Sequence, residues 1–171
     1  SDHINDSFGR EARLMGSLAK RTFLSGDKDL DIFVFFDTDT PEQELEQEGL
    51  RIGRQVFEHF SGTYQEEYAE HPYIKGEING FEVEIVPAYD IDEPGAMKSS
   101  VDRTPLHTDW VNKNLTEDEK QQVVLLKAFL KGRDLYGSSL RVQGFSGYLC
   151  EILIQQYGSF RGLLEHAVEW E

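Results

Sequence analysis

The pattern of apolar and polar positions divides the chain into recognisable elements. Residues 30 to 36, Leu-Asp-Ile-Phe-Val-Phe-Phe, are rich in aromatic and β-branched side chains and are apolar on both parities after Asp31. That predicts a strand buried on both faces inside a sheet. A shorter apolar run, residues 12 to 15, ends at Gly16-Ser17 and predicts another strand. Thr40-Pro41-Glu42-Gln43 combines an N-cap threonine, a proline at the first helical position and a glutamine placed to close a capping box. A helix is expected to follow, carrying Leu45, Ile52, Val56, Phe57 and Phe60 at roughly helical spacing and ending at Ser61-Gly62. Residues 63 to 69, 74 to 78 and 81 to 86 read as strands, and Asn79-Gly80 between the last two predicts an antiparallel hairpin turning there. Pro87 is expected to close the final strand.

Between about 90 and 112 the expectation is an irregular segment, because Pro94-Gly95 and Thr104-Pro105 interrupt regular structure. Helical character begins at Thr116, which forms a capping box with Glu119 ahead of Val123, Val124, Leu126, Lys127 and Leu130. A further helix is predicted from Ser146 to Tyr157, with apolar residues at 145, 148, 149, 152 and 153. The order strand, strand, helix, hairpin, loop, helices implies an α+β lobe over residues 1–114 and a helical lobe over residues 115–171.

Composition changes this picture little, whereas charge changes it more. With 171 residues, 39% of them apolar, the chain can fill one sizeable core or two small lobes. No stretch approaches the roughly 18 uncharged apolar residues of a membrane span, and Ser1 to Arg10 lacks a signal peptide's apolar region. A soluble, cytoplasmic protein with no membrane partner is expected. The single cysteine, Cys150, sits in an apolar helical pattern, which excludes an internal disulfide and favours plain packing. The 32 acidic against 17 basic residues give a net charge of −15, opposite to the usual footprint of a nucleic-acid binder. High ionic strength, or basic surface elsewhere in a longer chain, would reconcile that charge with a polyanionic partner. The acidic residues are spread along the whole sequence, so a solvated, halophilic surface is expected. A melting curve unchanged between low and molar salt would contradict it.

Residues two apart on a strand share a face, so Asp29 points with Asp31 and Glu82 with Glu84. Gathering carboxylates is costly unless a cation neutralises them, and oxygen-only ligands select a hard ion such as Mg²⁺. One reading is a two-metal centre for phosphoryl chemistry; the other is a set of solvated carboxylates on strand edges. Gly16-Ser17, a glycine turn with a hydroxyl about a dozen residues before Asp29, is suited to cradle phosphate oxygens. Lys127 falls on an apolar-rich helix face, where either a triphosphate or snorkelling past Leu126 and Leu130 explains it. His71, beside Pro72, is read as a turn residue because no cysteine or second histidine stands at metal-ligand spacing. Trp110 and Trp170 are read as packing residues.

Several longer blocks carry a more specific signal: Gly16 to Lys20 with Asp29-Leu30-Asp31, Tyr68-Ala69-Glu70-His71-Pro72-Tyr73, Phe81 to Tyr89, Ser100 to His107, and Gly144 to Leu149. Through them the chain resembles the archaeal type of CCA-adding enzyme, a tRNA nucleotidyltransferase, from about residue 12 to 170. The resemblance implies a polymerase-β-like palm with a mixed or antiparallel sheet, followed by a helical domain that begins a longer chain. It implies template-independent nucleotidyl transfer from CTP and ATP to the 3′ end of tRNA, with Mg²⁺ as cofactor. It assigns catalysis and metal binding to Asp29, Asp31 and Glu84, and nucleotide contacts to Gly16, Ser17, Lys20, His107, Lys127 and Tyr136. Two residues depart from the family pattern: Lys20 stands where arginine is common and Glu84 where aspartate is common. Two other readings stay open, a nucleotide- or tRNA-binding domain with impaired catalysis and a nucleotidyltransferase with a non-RNA acceptor, as does assembly into a homodimer.

Overall fold

The computed structural model describes residues 1–27, 29–69, 71–91, 93–139 and 141–170; Glu70, part of the block around His71, lies outside them. The chain divides into two compact units, residues 1–18 with 28–108 and residues 19–27 with 109–171.

The first unit is a mixed five-stranded sheet backed by helices. Its elements are α1 (Asp2–Phe8), β1 (Ala12–Leu14), most of the short α2 (Gly16–Ala19), β2 (Asp29–Phe36), α3 (Glu42–His59), β3 (Thr63–Tyr68), β4 (Pro72–Ile78) and β5 (Phe81–Tyr89). The strand order is β1-β2-β5-β4-β3, with only β2 and β5 parallel. Phe33, Val34, Phe35 and Phe36 are all buried, as the double-parity apolar run predicts. Val34, Phe36, Val83 and Ile85 pack with Leu45, Ile52, Val56 and Phe57 of α3, while Phe33, Phe35, Val86 and Ala88 form a second cluster with Met15. Each such side chain contributes roughly 1.5–3 kcal/mol when fully buried. Gly49 and Gly53 let α3 approach the sheet closely, since a Cβ there would overlap Pro87 and Ile74.

Three local expectations need correction. Thr40 and Gln43 do not form a capping box: Pro41 is the N-cap residue and α3 starts at Glu42 with no side-chain cap. Pro87 does not close β5, which continues to Tyr89 paired with β2. Pairing with β4 stops at Ile74↔Ile85, so at Pro87 that side of β5 is an edge, where a residue without an N–H is tolerated. The stretch from 90 to 112 is not irregular throughout. After a 3₁₀ turn (Pro94–Ala96), α4 runs from Arg103 to Asn114, with Pro105 in its first turn, where the missing N–H costs nothing. Buried Asp102 fixes the connection by accepting from the backbone N–H groups of Tyr89, Lys98 and Ser99.

The second unit is helical: the end of α4, α5 (Glu117–Lys131), α6 (Gly147–Tyr157) and α7 (Phe160–Ala167). The predicted capping box is present, with Thr116 and Glu119 each accepting from the other's backbone N–H. Ser146 caps α6, and Gly158 at φ 76 ends it. Val111, Leu115, Val123, Leu126, Leu130, Cys150, Ile154 and Leu163 form the core, with Trp110 packed edge-on to Tyr148. Burial pushes the Cys150 thiol up to about 11. A disulfide reagent at pH 8 is therefore expected to leave Cys150 untouched in the native protein and to titrate one thiol per chain after denaturation.

Candidate active site

The parallel pairing of β2 with β5 sets Asp29 opposite Glu82 and Asp31 opposite Glu84. The two acidic pairs thus become one carboxylate group on a single face, near the starts of two neighbouring strands. β1 runs antiparallel to β2, and the Met15 N–H donates to the Asp31 carbonyl at 2.8 Å, which brings the following turn to Asp31. Gly16, at φ +66, is the residue in contact: a Cβ there would overlap the Asp31 carboxylate. The Gly16-Ser17 turn opens the short α2, with Ser17 partly exposed. A cleft of about 320 Å³ beside these groups is lined by Asp31, Phe33, Ala69, His71, Tyr73 and Glu84, with Val86, Val101 and Thr104. Burial, and after it the charge of Glu84, push the Tyr73 phenol above its usual range, so it stays protonated at neutral pH.

Lys75 was not anticipated as a site residue. Its ammonium lies 2.5 Å from Glu82 and 2.8 Å from Glu84, and these two carboxylates hold it well above the ordinary lysine range. The signal was present in the sequence, because a two-residue Asn79-Gly80 turn pairs 78 with 81 and therefore 75 with 84, as observed. The carboxylate donors suit a hard divalent ion, because all are oxygen ligands. Such an ion must compete with Lys75 for Glu84. Replacing Lys75 with methionine is therefore expected to tighten Mn²⁺ binding, measured by titration, by about threefold to tenfold.

Within the second unit, Lys20, Thr22, Lys127 and Glu151 form a buried charge cluster. Glu151 Oε2 accepts from Lys20 Nζ at 2.8 Å, and its Oε1 accepts from Thr22 Oγ1 at 2.7 Å and from Lys127 Nζ at 3.4 Å. Lys127 also donates to the Thr22 carbonyl at 3.0 Å. Burial lowers the Lys127 ammonium from its usual pKa, with the charge of Glu151 opposing that shift. Two residues assigned to nucleotide binding are thus engaged by a carboxylate that the sequence reading passed over. Glu151, the lone acid inside the apolar pattern of α6, was the available signal. Tyr136 bridges to Phe145 and lies near Lys127: a Cβ on Gly147 would come within 3.2 Å of Tyr136 Oη and 3.5 Å of Lys127 Nζ. Both polar groups therefore gather at the N-terminus of α6, a position that favours anions. His107 belongs to the first unit, half-buried on α4 rather than on a loop.

Solved structures share the architecture at low identity. E. coli MS115-1 CdnC with ATP aligns at TM-score 0.60 and 20% identity, over 96% of this chain and 58% of that one. Cid1, described as having RNA terminal uridylyl transferase activity, aligns at TM-score 0.63 and 16% identity, over 88% and 42%. The chain belongs to the nucleotidyltransferase domain family, whose profile matches residues 3–107. The profile "tRNA nucleotidyltransferase, second domain" matches residues 121–171. Curated relatives include the CCA-adding enzymes of Methanothermobacter thermautotrophicus (50% identical, 94% of this chain, 35% of the relative) and Methanocaldococcus jannaschii (51%, 94%, 36%). That of Halobacterium salinarum is 45% identical over 92% of this chain and 34% of its own length. The chain spans about a third of the length of these relatives. Among the described residues, no helix is long and apolar enough to cross a membrane.

Proposed function

We propose that this chain carries the nucleotidyl-transfer centre of a CCA-adding enzyme, which extends the 3′ end of tRNA from CTP and ATP in the cytoplasm. The observation that carries this reading is the register of Asp29 and Asp31 against Glu82 and Glu84, with Gly16 against Asp31. Kinship with archaeal CCA-adding enzymes at 45–51% identity supports the acceptor. The proposed transfer centre lies in the first unit, residues 1–18 with 28–108, and the second unit is helical.

Asp29, Asp31 and Glu84 would hold Mg²⁺, which when bound would supply charge neutralisation at the α-phosphate and lower the pKa of the attacking hydroxyl. Gly16 and Ser17 present backbone N–H groups and a hydroxyl to phosphate oxygens. Lys127 and Tyr136, at the N-terminus of α6, offer donors for the same kind of oxygen, with Glu151 fixing the position of Lys127. Lys20 supports this arrangement through its own bond to Glu151. His107 is assigned a hydrogen bond to phosphate or sugar. The deciding experiment is incorporation of labelled CTP and ATP into tRNA lacking its terminal CCA, comparing this chain with Asp31→Ala. Incorporation abolished by the substitution supports the reading, and equal incorporation by both proteins rejects it.

The ion pair of Lys75 with Glu84 favours one alternative, a domain that binds nucleotide but transfers it slowly. Under that reading Glu84→Asp, which shortens the carboxylate to the form common in the family, raises turnover while leaving nucleotide affinity unchanged.

A further inference from the structure

His71 lies at the bend that feeds β4, and it is 5% exposed. Neither ring nitrogen has a hydrogen-bond partner, although both are buried. Its Nδ1 points toward the first two turns of α3, 3.9 Å from Glu42 Oε1 and 4.0 Å from Glu46 Oε1. One ligand atom from each of the three residues lies within 4.8 Å of the others. Glu42 and Glu46 are one helical turn apart and share a face. Lys98, a cation lining the same cavity, does not serve them: its ammonium donates to the Thr38 carbonyl and lies 4.4 Å over the Tyr89 ring. The imidazole is thus buried with no hydrogen-bond partner on either nitrogen and faces two carboxylates.

We infer that Glu42, Glu46 and His71 form a divalent-cation site separate from the Asp29, Asp31 and Glu84 group. Bonds of about 2.0–2.2 Å set ligand atoms around 3.3–3.6 Å apart, so closure needs only a small rotation of the two glutamates. Glu42, which is 70% exposed, is free to make it. The ligand chemistry separates the two sites. Three carboxylates select a hard ion such as Mg²⁺, whereas an imidazole nitrogen with two carboxylates selects a borderline ion such as Zn²⁺ and leaves a coordination position open to water. A bound ion ties the bend at His71 to the start of α3. It thereby steadies β4, whose Tyr73 lines the carboxylate cleft and whose Lys75 bonds Glu84.

The test is calorimetric titration of the chain with Zn²⁺ in millimolar Mg²⁺, which keeps the oxygen-only group occupied. Co²⁺ absorption in the visible serves as a second readout of nitrogen ligation. The expected result is one Zn²⁺ per chain, with affinity reduced about a hundredfold in Glu46→Gln and lost in His71→Asn, and unchanged in Asp31→Asn. Should His71→Asn fail to fold, Glu42→Gln at the exposed position gives the same answer through the rise in melting temperature on adding Zn²⁺. That rise is present in the parent and abolished in the variant. Three results overturn the inference: binding no tighter than millimolar, binding indifferent to Glu42, Glu46 and His71, or binding lost in Asp31→Asn instead.

Discussion

Replacing Glu151 with leucine is expected to destabilise the protein by about 3–5 kcal/mol, because it strands two buried ammonium groups. Lys20 and Lys127 both donate to this carboxylate, whose side chain is fully buried. Glutamine is expected to be nearly as damaging. It preserves shape and one acceptor, yet removes the negative charge that offsets both lysines. A double substitution, Lys20→Met with Glu151→Leu, should recover part of the loss, since apolar replacements remove a stranded charge. Chemical denaturation measures all three variants, and a loss below about 1 kcal/mol for Glu151→Leu would contradict the account. The pH dependence follows from the lowered Lys127 pKa. In that case the unfolded chain binds the proton more tightly. The cost of the charged form is therefore full below the folded-state pKa, and stability rises with pH as the lysine titrates towards its unfolded value of about 10.4. Without Glu151 the pKa falls further, so the variant should show a wider pH window of rising stability than the parent.

The second large effect belongs to Gly16. Alanine at this position places a methyl group in the Asp31 carboxylate and holds a left-handed backbone at φ +66. If Asp31 holds the cation as proposed, displacing its carboxylate by about an ångström is enough to cost around a hundredfold in rate, while the backbone penalty by itself is of order 1 kcal/mol. Gly9→Ala separates the two contributions: its φ is +61, but a Cβ there meets nothing within 4 Å. Both variants are expected to melt a few degrees early, and only Gly16→Ala should lose metal-dependent nucleotide binding. Equal loss of binding in both would show that the left-handed backbone, rather than contact with Asp31, explains the glycine.

Much of the first unit was legible because strands announce themselves locally. The double-parity run from Leu30 to Phe36 requires cover on both faces, and Asn79-Gly80 dictates a register without reference to distant residues. That register places Lys75 across from Glu84, so even the unanticipated ion pair was readable in principle. Helix starts were less secure. Thr116 has a glutamate that closes its capping box, whereas the similar-looking Thr40 yields to Pro41 as the N-cap residue. Proline was misjudged twice for one reason, that its effect depends on which neighbour its missing N–H would have served. At Pro105 that group belongs to a first helical turn, and at Pro87 to a strand edge. The carboxylates were legible through the period of two along a strand. The engagement of Lys20 and Lys127 by Glu151 was not, because Lys20 and Glu151 are 131 residues apart and their meeting is a tertiary fact. For His71, ligand spacing in sequence gave no hint, since Glu42 and Glu46 approach it from another element.

The central claim is that Asp29, Asp31 and Glu84 bind a divalent cation together with a nucleoside triphosphate. Calorimetric titration of a non-hydrolysable triphosphate, with and without Mg²⁺, tests it in the parent chain and in Asp31→Ala. The account predicts binding in the parent only when the cation is present, and binding weakened about a hundredfold or more in Asp31→Ala. Binding that ignores both the cation and the substitution would contradict it.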